Sequence, residues 1–416
     1  MRALGLVALL ALGSLLQSHA ALRPLDCQLN DFFSRPDIST GLSGKDPAPP
    51  SVVATDVAAS INSFGFNFFR NVLPTSPNGN IVFSPLSIAA AFSLLHIGAE
   101  KDTTTQQEIG VTLQFVSECY PFLLQDILDA YKNEDVAEQL SLATRLYVQE
   151  RLELKPDFVE EVGEGNVEGT NFEDTDQAME QINNWVSEQT NGFIDDLIAP
   201  GQLDPSTVMA LVNALYFKGT WDLKFDVEKT TNMTFNGSNG EAQVEFMKQT
   251  QEFKYDMENN VLELPYKNSR FSMIIVLNNP DLDSSFQVDL AADALRVLDQ
   301  PEFVKVSTEV TIPRFSFEES YDLKQILPEL GTERVFTGDA ELGVISDAPL
   351  FVDTAVHKAR IQVNEEGTTA AAATNIGVVA LILDEVFTAD RPFTFFIRDN
   401  ENKLFLFMGA YSNVET

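Results

Sequence analysis

The segment Gly367 to Leu383, "GTTAAAATNIGVVALIL", runs seventeen residues without a charge. It lies in a chain whose 62 acidic and 27 basic residues leave a formal net charge of -35. That contrast constrains the fold more than any other feature. Side chains of a strand alternate faces. One face of the segment reads Thr368, Ala370, Ala372, Thr374, Ile376, Val378, Ala380, and the other Thr369, Ala371, Ala373, Asn375, Gly377, Val379, Leu381. Both are uncharged, and the first can be buried against a core without stranding an ion, which would cost several kcal/mol. No proline deletes a ladder hydrogen bond. A membrane span needs ~20 mainly apolar residues, and this segment carries three Thr, one Asn and two Gly. Residues 369–374 suit an alanine-rich helix, but "NIGVV" does not continue it. A permanent strand of this length is unusual against ~5–6 residues. The pattern fits a segment exposed first and paired later. Thr368 through Leu381 would cover about 45 Å as a strand.

The remaining composition sets the surroundings. A chain of 416 residues, 44% hydrophobic, can bury a sizeable core. Its acidity argues against nucleic acid and against an anionic membrane surface as partners. It favours a cationic protein partner or serves solubility alone. Residues 1–20 have one Arg, an apolar run and a small-residue end, the pattern of a secretory signal cleaved after Ala20. The expected location is extracellular, and "SNVET" at the C-terminus is no retention signal. Residues 21–54 are rich in Pro, Ser, Asp and Gly and read as an extension with little structure. Residues 55–416 read as one domain. Two cysteines, Cys27 and Cys119, exclude a disulfide scaffold or Cys-based zinc site and leave one bridge open. Sequons at Asn232 and Asn236 fall in "TNMTFNGSNG", which reads as a turn-rich surface loop and makes a glycoprotein possible.

Helical periodicity comes early. Ile61, Phe64, Gly65, Phe68 and Val72 share a face, and "SPLSIAAAFSLLHIG" has a Ser cap, Pro at the first turn and Gly at the end. Met179, Ile182, Trp185 and Val186 mark a helix stopped by Asn191-Gly192. Then "TVMALVNALYF" and "FSMIIVL" read as strands buried on both faces. "KVSTEVTIPRFSF" alternates, and "RPFTFFIRDNENKLFLFMGAY" reads as two strands about an Asp-Asn turn. Helices followed by strands predict an α+β fold on large, mainly antiparallel sheets.

Catalytic signatures are missing. After the signal only His96 and His357 remain, which excludes a His-rich metal site. No G-x-S-x-G elbow, P-loop or GxGxxG fingerprint occurs. No catalytic residue, metal or cofactor is assigned, and a carboxylate-based hydrolase is the minor alternative.

Five motifs in order across residues 55 to 416 resemble the serpins: "NIVFSPLSIAAAFSLLHIGAE", "LVNALYFKGTW", "VFTGDAELGVIS", "AVHKARIQVNEEGTTAAAAT" and "ADRPFTFFIRDNENKLFLFMG". The resemblance implies three β-sheets, eight or nine helices and an exposed reactive-centre loop. It implies inhibition, not catalysis: a protease cleaves the loop and stays covalently attached as the loop joins the main sheet. Serpin loop insertion is a standing example of strand addition. The inhibitory hinge pattern is met by Glu365, Glu366, Gly367, Thr368, Thr369, Ala370, Ala371, Ala372 and Ala373. The family's spacing from Glu365, and from Pro392, places the reactive bond at Leu381–Ile382. Leu before the cut implies a chymotrypsin-like protease with an apolar pocket, and the preceding Val and Ala suit an elastase-like one. Ser84, Ser87, Asn213 and His357 resemble the polar cluster that controls sheet opening. The helix region "QDILDAYKNEDVAEQL" holds one Lys among five acids, which argues against heparin regulation. The implied species is a monomer with a polymerisation liability. A non-inhibitory carrier on the same fold is the alternative.

Overall fold

The computed structural model describes residues 54–76, 79–132, 136, 139–278, 305–367 and 385–414. Seven α-helices lie among them: α1 (Ala54–Val72), α2 (Pro85–Gly98), α3 (Thr104–Thr112), α4 (Tyr120–Ala130), α5 (Pro156–Val162), α6 (Thr175–Gln189) and α7 (Leu323–Leu330). The strands are β1 (Ile81–Phe83), β2 (Leu140–Gln149), β3 (Val167–Thr170), β4 (Met209–Phe217), β5 (Thr231–Gly237), β6 (Gly240–Asp256) and β7 (Val261–Pro265). They continue with β8 (Phe271–Leu277), β9 (Val306–Pro313), β10 (Phe315–Asp322), β11 (Thr354–Val363), β12 (Glu385–Thr388), β13 (Phe393–Asp399) and β14 (Leu404–Tyr411).

One sheet has the order β10-β11-β4-β2-β3. Its centre is a parallel pairing of β11 with β4, from Thr354↔Ala210 to Arg360↔Tyr216. The flanking pairings, β10 with β11 and β4 with β2, are antiparallel. The near-continuous apolar run of β4, interrupted by Asn213, follows from its place: all nine residues are buried. On one face lies α2, whose fourteen residues are all buried. The other face carries α6, where Ala178, Ile182 and Val186 pack with Tyr147, Ala210, Val212 and Val356.

The other nine strands are hydrogen-bonded into one continuous network, in which β6 is shared by two sets of pairings. The last three residues of β6 pair with β7, which leads on to β8, β13, β14 and β1. Earlier residues of β6 pair with β5 and β9, and β12 adds to β9. Glycine lets α1 sit close. A Cβ on Gly65 would lie 2.9 Å from Pro85 Cβ and 2.8 Å from Met408 Cε.

Two sequence expectations change. "TNMTFNGSNG" is a β-hairpin of β5 and β6, not an irregular loop. Its Asn and Gly content reads as turn, but pairing with β6 and burial of Phe235, 5.0 Å from the Tyr411 ring, override propensity. "KVSTEVTIPRFSF" alternates throughout yet serves two sheets, breaking at Arg314 between β9 and β10. No helix of the described residues is long and apolar enough to cross a membrane.

Candidate functional site at the seam of the five-stranded sheet

Ser84, Ser87, Asn213 and His357 come together, fully buried, beneath the β4–β11 seam. Register explains how. Thr144 of β2 is opposite Asn213 of β4, Asn213 is opposite His357 of β11, and His357 is opposite Tyr321 of β10. The result is a row of four side chains across four strands, with the N-terminus of α2 against it. Thr144 is the member that its own sequence context did not single out. Its signal is only the register, which no local pattern reveals.

The hydrogen bonds fix the protonation state. The Ser84 amide donates to His357 Nε2 at 3.0 Å, so Nε2 must be bare. Nδ1 therefore carries the proton and donates to Asn213 Oδ1 at 2.6 Å. Ser87 Oγ donates to the same oxygen. Asn213 Nδ2 donates to Ser87 O at 2.8 Å and Thr144 Oγ1 at 2.7 Å. All four capacities of the Asn213 amide are used. Ser84 also caps α2 by accepting from the Ser87 amide at 3.0 Å. Burial pushes His357 down to about 3, and its contact with Asn213 opposes that shift. A neutral imidazole with both nitrogens occupied has no free base to offer a nucleophile. His96 is pushed down to about 4 by burial, against the opposing charge of Glu118, and stands edge-on to Phe115. Neither histidine is arranged as a catalytic base.

The second part of the site is the exit of β11. Gly367 has φ +95, and a Cβ there would fall 2.3 Å from Gly219 O and 2.5 Å from Trp221 N. Only glycine fits this approach. Glu366 O accepts from Trp221 N at 3.0 Å, and Glu365 O accepts from Phe225 N at 2.9 Å. Trp221 Nε1 donates to Asn364 O at 2.9 Å, and its ring stacks on Tyr266 at 4.5 Å. The Glu365 carboxylate, nearly buried, accepts from Thr230 Oγ1 at 2.6 Å and faces Arg314 Nε at 3.2 Å. The chain beyond β4 thus clasps the residues that leave β11. No local pattern marks Trp221, Thr230 or Arg314 as site residues, because they lie far from the hinge in sequence.

Thr368 to Ala373, Leu381 and Ile382 lie outside the described residues. Asn232 and Asn236 are exposed on β5. Asn236 is held by Asp390 O, which accepts from its backbone amide at 2.7 Å and its side-chain amide at 3.1 Å.

A helix-backed sheet with a parallel seam, a polar row across it and a clasped glycine hinge at its exit defines a class of protein. The family model for serpins, described as serine protease inhibitors, matches residues 59–414. The chain belongs to the serpin family, and it is a protease inhibitor and not a catalytic enzyme. The leukocyte elastase inhibitor of Bos taurus is 36% identical over 378 residues, covering 86% of this chain and 99% of that protein. The Homo sapiens leukocyte elastase inhibitor is 35% identical over 371 residues, covering 84% of this chain and 97% of that one. The crystal structure of uncleaved ovalbumin matches with a TM-score of 0.77 at 31% identity, covering 86% of this chain and 100% of that chain.

Proposed function

We propose that this serpin is secreted and traps a chymotrypsin-like or elastase-like serine protease by suicide inhibition at Leu381–Ile382. One observation carries the reading. The clasped turn Glu365–Gly367 leads directly into the uncharged stretch, beside a seam that joins two parallel strands. A strand running back from Gly367 would lie antiparallel to both β11 and β4. It would replace one parallel pairing with two antiparallel ones, which are slightly stronger per residue. It would also bury an uncharged face, at roughly 25 cal/mol per Å² of apolar surface.

In the chemical step the protease serine oxygen attacks the Leu381 carbonyl. The Leu381–Ile382 C–N bond breaks, an ester forms, and the serine proton leaves with the Ile382 amine. Insertion of Thr368 onward then competes with water for the ester. An apolar specificity pocket is supported by Leu381, and an elastase-like target by relatives named leukocyte elastase inhibitor. Secretion is supported by the N-terminal pattern of one Arg, an apolar run and a small-residue end.

Mixing the mature protein with chymotrypsin and with pancreatic elastase tests the reading. A band near the summed mass that survives boiling in denaturant is expected with at least one of them. Cleaved protein alone, with every protease tried, would favour a non-inhibitory carrier. Leu381→Arg should redirect the complex toward trypsin, with the released peptide beginning at Ile382. Thr368→Arg should convert inhibitor into substrate, because a charge would have to enter the core early in insertion. Undiminished trapping by that variant would refute the insertion argument.

A further inference from the structure

The hairpin of β5 and β6 holds both sequons of the chain, and the fold treats the two differently. β5 alternates: Phe235 is buried and Met233 half-buried, while Asn232 and Asn236 are exposed. Asn236 is engaged. Its Nδ2, the atom that a glycan would occupy, donates to Asp390 O at 3.1 Å, and its backbone amide donates to the same oxygen at 2.7 Å. The rest of that sequon is packed on the C-terminal segment. A Cβ on Gly237 would lie 2.9 Å from Asn413 Oδ1, and the Ser238 amide donates to Ser412 O at 3.0 Å. The Asn232 side chain has no hydrogen-bond partner among the described residues. Opposite it in register stands Glu245, whose carboxylate is taken by Arg314 at 2.6 Å.

We infer that Asn232 carries an N-linked glycan, that Asn236 stays bare, and that the glycan guards the open edge of β5. The inference rests on the secretion proposed above, since the sugar donor, a lipid-linked oligosaccharyl pyrophosphate, belongs to the secretory route. Asn232 Nδ2 attacks C1 of the donor's first sugar. The C1–O bond breaks and the C1–N bond forms. The lipid pyrophosphate leaves with the bonding electrons, and Nδ2 gives up one proton. Asn232 precedes Asn236 in the chain and reaches the transferase first. A sugar on Asn236 would replace one of the two Nδ2 hydrogens and crowd the Asp390 carbonyl. On Asn232 it meets solvent. Its position also gives it a task. Along an antiparallel strand, alternate residues turn their N–H and C=O groups to the same side. The Asn236 amide points away from β6, to Asp390, so the amide of Asn232 points away from β6 too. Among the described residues no strand pairs β5 on that side. An open edge is a template for another chain, and a bulky, solubilising group beside it blocks that pairing.

The full chain is expressed in secreting animal cells. Digestion of the secreted protein with peptide N-glycosidase in heavy-oxygen water turns each glycosylated Asn into a labelled Asp. Mass spectrometry should find the label at position 232 and not at position 236. Asn232→Gln should abolish the gel shift that the enzyme causes. Thr234→Ala, which removes the same sequon and keeps Asn232, should do the same. Thr234→Ser and Asn236→Gln should keep the shift whole. A label at position 236, or secreted protein with no glycan, would overturn the assignment. Protein held inside the cells with residues 1–20 still attached would overturn the secretion reading, and this inference with it. On warming, both glycan-free variants should lose monomer faster than the glycosylated protein, read by size-exclusion chromatography. Equal rates would overturn the guarding role.

Discussion

The polar row at the seam and the clasp at the hinge hold the same strand closed by opposite means. At the seam, His357 bridges β11 to Asn213 of β4 and the Ser84 amide through neutral groups fully removed from water. At the hinge, two residues past the end of β11, Glu365 is held by charge, facing an Arg314 that is 40% exposed. Eight residues, about 26 Å at strand rise, separate them. A buried neutral network gains little from each bond but loses heavily when one partner is removed. A partly solvated ion pair is weaker, salt-dependent and easily reopened. We therefore expect the seam to resist opening and the hinge to yield first.

The largest effect should come from Asn213→Ala. It leaves the Ser87 hydroxyl, the His357 Nδ1–H and the Thr144 hydroxyl without the amide that joins them. A loss of about 3–4 kcal/mol is expected, from several orphaned groups at ~1–3 kcal/mol each with partial relaxation. Urea unfolding would read it, and native gels should show polymer forming at lower temperature. A loss below ~1 kcal/mol would mean that the row is not what holds the seam.

Acid should strike the seam next. The ordinary histidine value is 6.5, and burial holds His357 at about 3. The unfolded chain therefore binds the proton more readily across that window. The stabilisation is complete above about 6.5 and is lost as pH falls toward 3. By pH 4.5 the loss is about 2–3 kcal/mol, at 1.36 kcal/mol per unit. Carboxylates titrate in the same range. The measured quantity is therefore the pH 7 to 4.5 change in the unaltered protein minus that in His357→Gln. A difference near zero would remove histidine from the account.

The two regions also differ in how far local sequence exposes them. "FSPLS" carries its own helix cap, and "VNALYF" and "VHKAR" mark buried strands, so each residue of the row is visible in its element. The pairing of Asn213 with His357 is not, since it depends on β11 lying parallel to β4 at one register. The resemblance to the serpins supplied that juxtaposition. At the hinge the strict demand for Gly367 is legible, but its cause is not. Gly219, Trp221 and Arg314 reach it through turns and a strand break that propensity does not encode. The β5–β6 hairpin is hidden for a related reason. Asn, Gly and Ser dominate the composition of its first strand and turn, while its pairing buries Phe235, Val244 and Phe246.

The smallest effect is the one that best separates the two regions. Glu365→Gln keeps an oxygen that can accept from Thr230 and removes the charge facing Arg314. With Arg314 40% exposed, the expected loss is about 1 kcal/mol. The global unfolding midpoint should barely move. The amides of Trp221 and Phe225, which donate to Glu366 O and Glu365 O, should exchange about fivefold faster. The Ser84 and Ser87 amides, bonded to His357 and to the Ser84 hydroxyl, should keep their protection. Raising salt to about 1 M on the unaltered protein should reproduce this pattern, because a ~3 Å screening length weakens the exposed pair and not the buried row. Faster exchange at all four amides would show that hinge and seam open together, and the clasp would then be part of one cooperative lock.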